Sequence, residues 1–404
     1  MEAHGTPRFE KIEYKPIPVR ELLLEMKNLS ELMIDLAYSA ALYNDKDLAE
    51  DVLALEGRVD TLAYLLEMEI MVASRDPRDA EALVGISRVA SSTNKISDAA
   101  ADIAAIVTRN IGVHPIVGQI FEKVEEHLKK VTVKSNSTLV KKTLAELSLA
   151  PTMGIDIIAI RRNNDWILDP KGKEKLFQGD ILITRGAPSG IEAFKDLAEG
   201  ELAKLNVEER AKFEEIGSKF VELKDTSELM LDLAYSSLML NSKDLAEEVQ
   251  VLEERMDQMH TSFELLALTS DFKKEEASGF LGIIRLGVAT EKIADAAAEI
   301  AEVVLRGIEP HPILKLMIRE AEETVIQACV TAESTLVNKT LKEARIHEQT
   351  GMWVLVIKRA QQYVRPKGES RIAVGDVLIA SGYAEGTDDL NKLASPAQAC
   401  DIDS

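Results

Sequence analysis

Only two cysteines, Cys329 and Cys400, occur in 404 residues. Two thiols are too few for a metal knuckle, and Cys400 sits in a polar tail, so reduced thiols in a cytoplasmic compartment are the simplest expectation. Basic residues are also short: 48 Lys and Arg face 69 Asp and Glu, a net charge of −21. That balance works against nucleic acid and against anionic lipid, both of which demand a basic surface, and it suits a cationic ligand or partner. It also simply keeps a helical protein soluble. No uncharged apolar run approaches the roughly 18 residues of a membrane span, so no direct membrane insertion is expected. Residues 1–17 are polar and broken by Pro7 and Pro16, which reads as a flexible leader and no secretion signal. There is no GxGxxG after a strand and no Walker lysine, hence no nucleotide-binding Rossmann unit.

What the chain does have is a duplication. Ser30 to Val52 returns as Ser227 to Val249 with 16 of 23 positions identical, at an offset of 227 − 30 = 197 residues. The register holds without a gap through Gly154 and Gly351, keeping Asn44/Asn241 and His114/His311 in step. A period this long excludes a solenoid, and each copy is large enough to hold one or two folded units.

The first part of each copy is rich in Ala, Leu, Glu, Lys and Met with apolar residues at three and four positions, the pattern of long amphipathic helices. Leu29, Leu32, Met33, Leu36 and Ala40 share one face. Asn44-Asp45 and Asn241-Ser242 stop one helix and cap the next, and Pro77 breaks the second from the third. Helices are therefore expected near 18–43, 46–73, 78–110 and 115–130, and again near 215–240, 243–270, 273–307 and 312–327, as antiparallel bundles. Acid pairs four apart recur on them, and such spacing points both carboxylates to one side. Chance alone gives about a dozen such pairs in a chain this acidic, and solvated helix faces account for them equally well.

The run Thr290 to Asp295, following a helix that carries Leu252 to Asp257, resembles the acid-x-x-x-acid signatures of PhoU-like domains, and Asn44 to Asp60 has the same cadence. In that family, facing helices gather divalent or trivalent metal ions. Carried over, the resemblance implies Glu56, Asp60 and Asp98 as metal ligands in the first copy, and Glu253, Asp257, Glu291 and Asp295 in the second. Asn94 stands where the second copy has Glu291, so the second copy is the stronger candidate.

After residue 130 the period changes to that of strands: Val131 to Val133, Gly154 to Ile160, Trp166 to Leu168 and Gly179 to Arg185, with helices at Leu139 to Leu147 and Gly190 to Leu197. The strings Ser137 to Leu144, Pro170-Lys-Gly172 and Phe177 to Ile183, repeated as Ser334 to Leu341, Pro366-Lys-Gly368 and Val374 to Ile379, resemble the TrkA C-terminal (RCK C-terminal) domain. Gly179 and Gly375 are expected to take positive φ in a tight turn. The resemblance implies a regulatory module of potassium channels and transporters that pairs two-fold and, in some members, binds cyclic di-AMP. Arg161, Arg162, Lys358 and Arg359 are the candidate phosphate contacts, with solvated strand ends the plainer alternative.

The expected fold is thus α+β multidomain, a PhoU-like antiparallel helical bundle (18–128) followed by a small α/β RCK C-terminal domain (129–203), the pair repeated (214–325 and 326–395) before a tail (396–404). A small four-stranded sheet leaves an apolar face open, which invites the two sheet domains to dock on each other as a pseudo-dimer or on a homodimer's partner. No converging nucleophile, base and electrophile is visible; His114 and His311 each precede a proline at a break between helices, and Ser137 and Ser334 read as helix caps. The expectation is a non-enzymatic cytoplasmic regulator of a membrane cation transporter or channel, potassium or magnesium, that senses a small ligand or a metal ion. The alternatives are a phosphate-signalling adaptor and a metal-binding protein.

Overall fold

The computed structural model describes residues 12–114, 127–199, 214–308 and 323–395, apart from 148, 150–152, 154, 164, 169, 187, 271, 361, 365 and 367. Helices α1 (Val19–Tyr43), α2 (Lys46–Ala73) and α3 (Pro77–Thr108) form the first bundle. Their ends follow from local chemistry. Asn44 takes the left-handed conformation (φ 48°) that ends α1, and the Asp45 carboxylate then accepts the amides of Asp47 and Leu48 at 3.1 and 3.2 Å to open α2. Asp76 caps α3 with Pro77 at its first position, where a missing amide proton costs nothing.

The first sheet is antiparallel with strand order β1-β4-β2-β3, built from β1 (His127–Thr132), β2 (Ile155–Arg162), β3 (Asp165–Leu168) and β4 (Ile181–Gly186). Two helices flank it, α4 (Leu144–Leu147) and α5 (Pro188–Glu199). The second copy repeats the plan: α6 (Glu214–Leu240), α7 (Lys243–Thr269), α8 (Ala277–Leu305), then β5 (Glu323–Cys329), α9 (Leu341–Ala344), α10 (Ile346–Thr350), β6 (Met352–Arg359), β7 (Gln362–Val364), β8 (Val377–Tyr383) and α11 (Thr387–Ala394). Its sheet order, β5-β8-β6-β7, matches, and each sheet has a register shift at the same place, Ile157/Ala159 and Val354/Val356.

Two expected helices change identity where they are described. Residues 127–130 of the expected helix 115–130 lie in β1, which pairs along its whole length with β4, and residues 323–327 of the expected helix 312–327 lie in β5. Residues 115–126 and 309–322, with His311, fall outside the described residues. The expected helix from Leu139 shrinks to α4. Its first half is held as turns because the Lys141 amide bonds the Leu176 carbonyl at 2.7 Å and Lys141 sits at φ 69°. Ser137 caps only that turn, accepting the Leu139 amide at 3.2 Å. Gly179 and Gly375 have the expected positive φ, 90° and 86°. Cys329 is disulfide-bonded, against the expectation of reduced thiols, and Cys400 lies outside the described residues.

The pairing of the two copies also differs from expectation. It is made by helices. Helices α3 and α8 run antiparallel through the centre, with Gly282 against the Gly112 carbonyl at one end and Gly85 against Val303 and Ile308 at the other. Fully buried Ile96, Ala100, Ile103, Ile293, Ala297 and Ile300 belong to one apolar core shared by both bundles. The polar contacts across this seam are reciprocal: Lys95 to Glu299 (2.5 Å) and Lys292 to Asp102 (2.7 Å), Tyr38 to Thr290 (2.8 Å) and Tyr235 to Thr93 (3.1 Å). Adding 197 to the first-copy residue of a contact and subtracting 197 from the second-copy residue gives its counterpart contact, the signature of a two-fold relation inside one chain. Each sheet lays one face on its own bundle through Ala159, Ile183 and Trp166, or Val356, Ile379 and Val325. The other face packs on Ile191 and Phe194 of α5, or Leu390 and Ala394 of α11. The face expected to seek another sheet is therefore covered by helix.

Candidate metal centre

The acid pairs expected to hold metal converge in both bundles. In the first, Glu56 and Asp60 on α2 meet Asp98 on α3, with one carboxylate oxygen of each within 4.8 Å of the others. In the second, Glu253 and Asp257 on α7 meet Asp295 on α8 within the same distance. Three convergent carboxylates suit a hard or borderline cation, which binds through oxygen. Burial and then mutual repulsion raise the proton affinity of these groups: Glu56 through burial, Asp60 and Asp98, and Glu253 through burial, Asp257 and Asp295. Asp98 and Asp295 are raised in the same way, by burial first and then by Asp60 and Asp257 respectively. Like charges held together against solvent are what a bound cation relieves.

Glu291 is one turn before Asp295 on the same helix, outside the three that converge within 4.8 Å, and adds its charge to theirs. Burial, with Asp295 and Asp257 beside it, pushes its carboxyl up to about 7. The first bundle has Asn94 there, its Oδ1 buried without a hydrogen bond. The copies differ at a second position the sequence reading passed over. His260 lies on α7 beside Asp295, which its ring favours in the ionised form, and its Nε2 is 3.7 Å from Glu264. The matching residue is Ala63, at the wall of a 240 Å³ cavity that Asp60, Glu67, Asn94 and Lys95 also line. The signal was present as Asp257-x-x-His260-x-x-x-Glu264, three polar ligand types on one helical face.

The four basic candidates do not converge. Arg161 reaches Asp51 of α2 at 3.2 Å and Lys358 reaches Asp244 of α7 at 3.1 Å, so both tie a sheet to its bundle. Arg162 grips the buried Asp180 at 3.0 and 2.9 Å, takes Glu174 at 2.9 Å and lies 4.6 Å over the Phe177 ring. Arg359 grips the equivalent Asp376 at 2.8 and 2.7 Å. Asp180 and Asp376 also accept the amides of Phe177 and Ala373, closing the turn before the last strand. His114 packs on Phe280 and stands 3.8 Å from Glu276, a contact between the end of the first bundle and the second.

Comparison with known proteins agrees with this division. The PhoU domain family matches residues 23–107 and 220–304, and the TrkA-C domain family matches 128–199 and 325–395. The Ktr system potassium uptake protein C of Bacillus subtilis (strain 168) is 34% identical over 94 residues, 23% of this chain and 42% of that protein. The match thus spans less than half of that relative's length. Among solved structures, PhoU from Pseudomonas aeruginosa is similar with a TM-score of 0.40 and 17% identity, over 72% of this chain and 96% of that one. The GsuK channel bound to NAD matches with a TM-score of 0.18 and 11% identity, over 78% and 66%.

Proposed function

Because the chain belongs to the proteins that carry PhoU and TrkA-C domains, here as a PhoU–TrkA-C pair present twice, we propose that it is a non-catalytic regulator of a membrane cation transporter, with potassium the favoured ion. The observation that carries this reading is the TrkA-C domain in both copies together with the likeness to a Ktr potassium uptake protein. Among the described residues no helix is long and apolar enough to cross a membrane, so the reading needs a separate membrane partner.

The signal we assign to the helical clusters. Glu253, Asp257, Glu291 and Asp295 would hold a divalent or trivalent ion, with Glu56, Asp60 and Asp98 as the weaker site. A bound cation would supply positive charge between α7 and α8 and so offset the repulsion that now opposes their approach. The first turn of helix α7 carries the Asp244 that holds Lys358 of β6, so the helix that bears Glu253 and Asp257 also touches the sheet. A ligand shifts such an arrangement only by its preference for one state over the other. Cyclic di-AMP is the less favoured ligand, because each basic candidate already meets a carboxylate of this chain and a phosphate would have to displace it.

The PhoU domains favour a second reading, a phosphate-signalling adaptor. Affinity capture from solubilised membranes with the whole chain as bait separates the two. Recovery of potassium or magnesium transporter subunits supports the first, and recovery of phosphate-transporter or histidine-kinase subunits replaces it with the second. The metal assignment is tested separately by Mn²⁺ titration followed by electron paramagnetic resonance. It predicts that Asp295→Asn removes the tighter site and Asp98→Asn the weaker, and it fails if neither substitution changes binding.

A further inference from the structure

The net charge of −21 is not spread evenly along the chain. Residues 23–107, in the first bundle, hold 7 Lys and Arg against 16 Asp and Glu, a balance of 7 − 16 = −9, whereas residues 127–199, the first sheet domain, hold 12 against 9, a balance of +3. Part of the sheet domain's positive charge ties it to its own acidic bundle, through Lys130 to Asp45, Arg161 to Asp51 and Arg185 to Asp35. Another part faces away. Segments 141–146 and 171–177 carry five lysines against two glutamates. They lie side by side, bridged at Thr143 and Lys175, with the Lys141 amide on the Leu176 carbonyl (2.7 Å) and the Ala145 amide on the Gly172 carbonyl (2.8 Å). Leu144 and Leu176 turn inward onto the core that α5 shares with the sheet, so alternation sends Lys173, Lys175 and Phe177 outward, beside the exposed Lys141 and Lys142. Phe177 is 43% exposed and carries the Arg162 guanidinium 4.6 Å over its ring. The two glutamates are already engaged, Glu174 by Arg162 at 2.9 Å and Glu146 by the Thr143 amide at 2.7 Å.

We propose that this lysine and phenylalanine patch docks the chain on an acidic lipid bilayer, the lysines over the headgroups and the Phe177 ring at their boundary with the acyl chains. The charge of the whole chain argues against such a surface, but the structure places the opposing charge elsewhere. Leu144 and Leu176 anchor the patch to the side of the sheet turned away from the bundle, which meets the opposite face through Ala159, Ile183 and Trp166. A sheet with its packed side chains is about 10 Å thick. The screening length in physiological salt is about 8 Å, so the patch and not the bundle sets the potential that a nearby surface meets.

The composition of the patch favours lipid over an acidic polypeptide. Lysines are flexible point charges that suit a diffuse layer of phosphates, whereas recognition of particular carboxylates draws on the planar fork of arginine, and Arg162 here is spent on Asp180. An outward aromatic ring beside basic residues is the side-chain pairing of interfacial membrane contacts. The second sheet domain keeps part of the charge: segments 338–343 and 367–373 hold four basic residues against two glutamates. Its turn has Ala373 at the position of Phe177, each donating its amide to the turn aspartate, so the first domain makes the stronger contact. The proposal goes beyond the transporter reading and stands or falls without it, since it needs neither a protein partner nor a bound metal.

The test is co-sedimentation of the whole chain, in EDTA, with protein-free vesicles of phosphatidylcholine alone or with one-third phosphatidylglycerol. The expected result is binding to the acidic vesicles only, lost in 1 M salt, where the screening length falls to about 3 Å. Each lysine at an acidic surface is worth about a fivefold change in partitioning, so Lys173→Glu with Lys175→Glu should weaken binding at least tenfold. Lys46→Glu with Arg88→Glu, the same change in net charge placed on the bundle, should leave it unchanged. Phe177→Trp should add an emission that shifts to the blue on acidic vesicles. The proposal is overturned if the unmodified chain sediments equally with both vesicles or with neither. Capture of the chain by poly-glutamate without binding to vesicles replaces it with an acidic polypeptide partner. Equal losses from the patch and bundle variants, or no blue shift at residue 177, also overturn it. The unmodified chain decides the first two outcomes, so a variant that fails to fold does not shield the proposal.

Discussion

Glu291→Gln should stabilise the metal-free protein, and only at neutral to alkaline pH. Burial and the neighbouring Asp295 and Asp257 hold the Glu291 carboxyl near 7 in the folded chain, against about 4.5 when it is unfolded. For an acid whose proton affinity is raised by folding, the cost of ionisation is fully present above the folded value. It is relieved as pH falls from about 7 towards 4.5, because the folded state takes up the proton first. At 1.36 kcal/mol per tenfold change in proton affinity the full displacement corresponds to about 3 kcal/mol. The group is only half-buried and water screens it, so about 1–2 kcal/mol is the realistic gain from a neutral amide. For a helical body of about 200 residues that is a rise of roughly 3–6 °C in melting temperature. The assay is thermal unfolding by circular dichroism in EDTA at pH 8 and pH 5, with Asn94→Glu, the reverse change in the other copy, as counterpart. The expected pattern is a gain for Glu291→Gln at pH 8, little at pH 5, and a loss for Asn94→Glu at pH 8. A destabilised Glu291→Gln at pH 8, or an equal effect at both pH values, refutes the electrostatic account of the cluster.

Arg162→Ala and Arg359→Ala should each cost about 3–5 kcal/mol, because each strands a carboxylate that is 1% exposed, Asp180 or Asp376. Denaturant melts should show the affected sheet domain loosening first, and lysine, lacking the planar fork, should rescue little. Lys224→Met should cost less, about 1–3 kcal/mol, because the Glu228 carboxylate it leaves unpaired is partly exposed, and Lys224→Met with Glu228→Leu should recover much of it; equal losses in the single and double variants would refute the pairing. Gly386→Ala should prevent correct folding of the second sheet domain, since an added Cβ would run into the Thr350 carbonyl, and native-like proteolysis resistance in that variant would contradict the packing.

The chain's order of domains was legible because two kinds of periodicity alternate along it and the duplication shows each twice. Helix ends were legible for the same local reason: Asn44, Asp45, Asp76 and Pro77 act within one turn of themselves. The candidate carboxylates were legible from a spacing of four combined with a family resemblance, while the meeting of Asp98 with Glu56 and Asp60, and of Asp295 with Glu253 and Asp257, needed a second helix, and helix neighbours are not written in local spacing. His260 escaped because comparing the copies rewards sameness, and its interest lies in the difference. The phosphate role offered for Arg162 and Arg359 overlooked Asp180 and Asp376, which lie 17 or 18 residues along the chain and reach them only once β2 pairs with β4, or β6 with β8.

By itself, then, the sequence determined the elements, their duplication and which carboxylates share a helix face, because those depend on neighbours within a few residues. Tertiary structure alone decided how the halves meet. Residues 204 and 252 apart, Lys95 with Glu299 and Tyr38 with Thr290, close the seam through helices, and each sheet spends its apolar face on its own bundle. An apolar face announces that it must be covered, but hydrophobic burial has no direction, so the identity of the cover is settled only when the whole chain has packed.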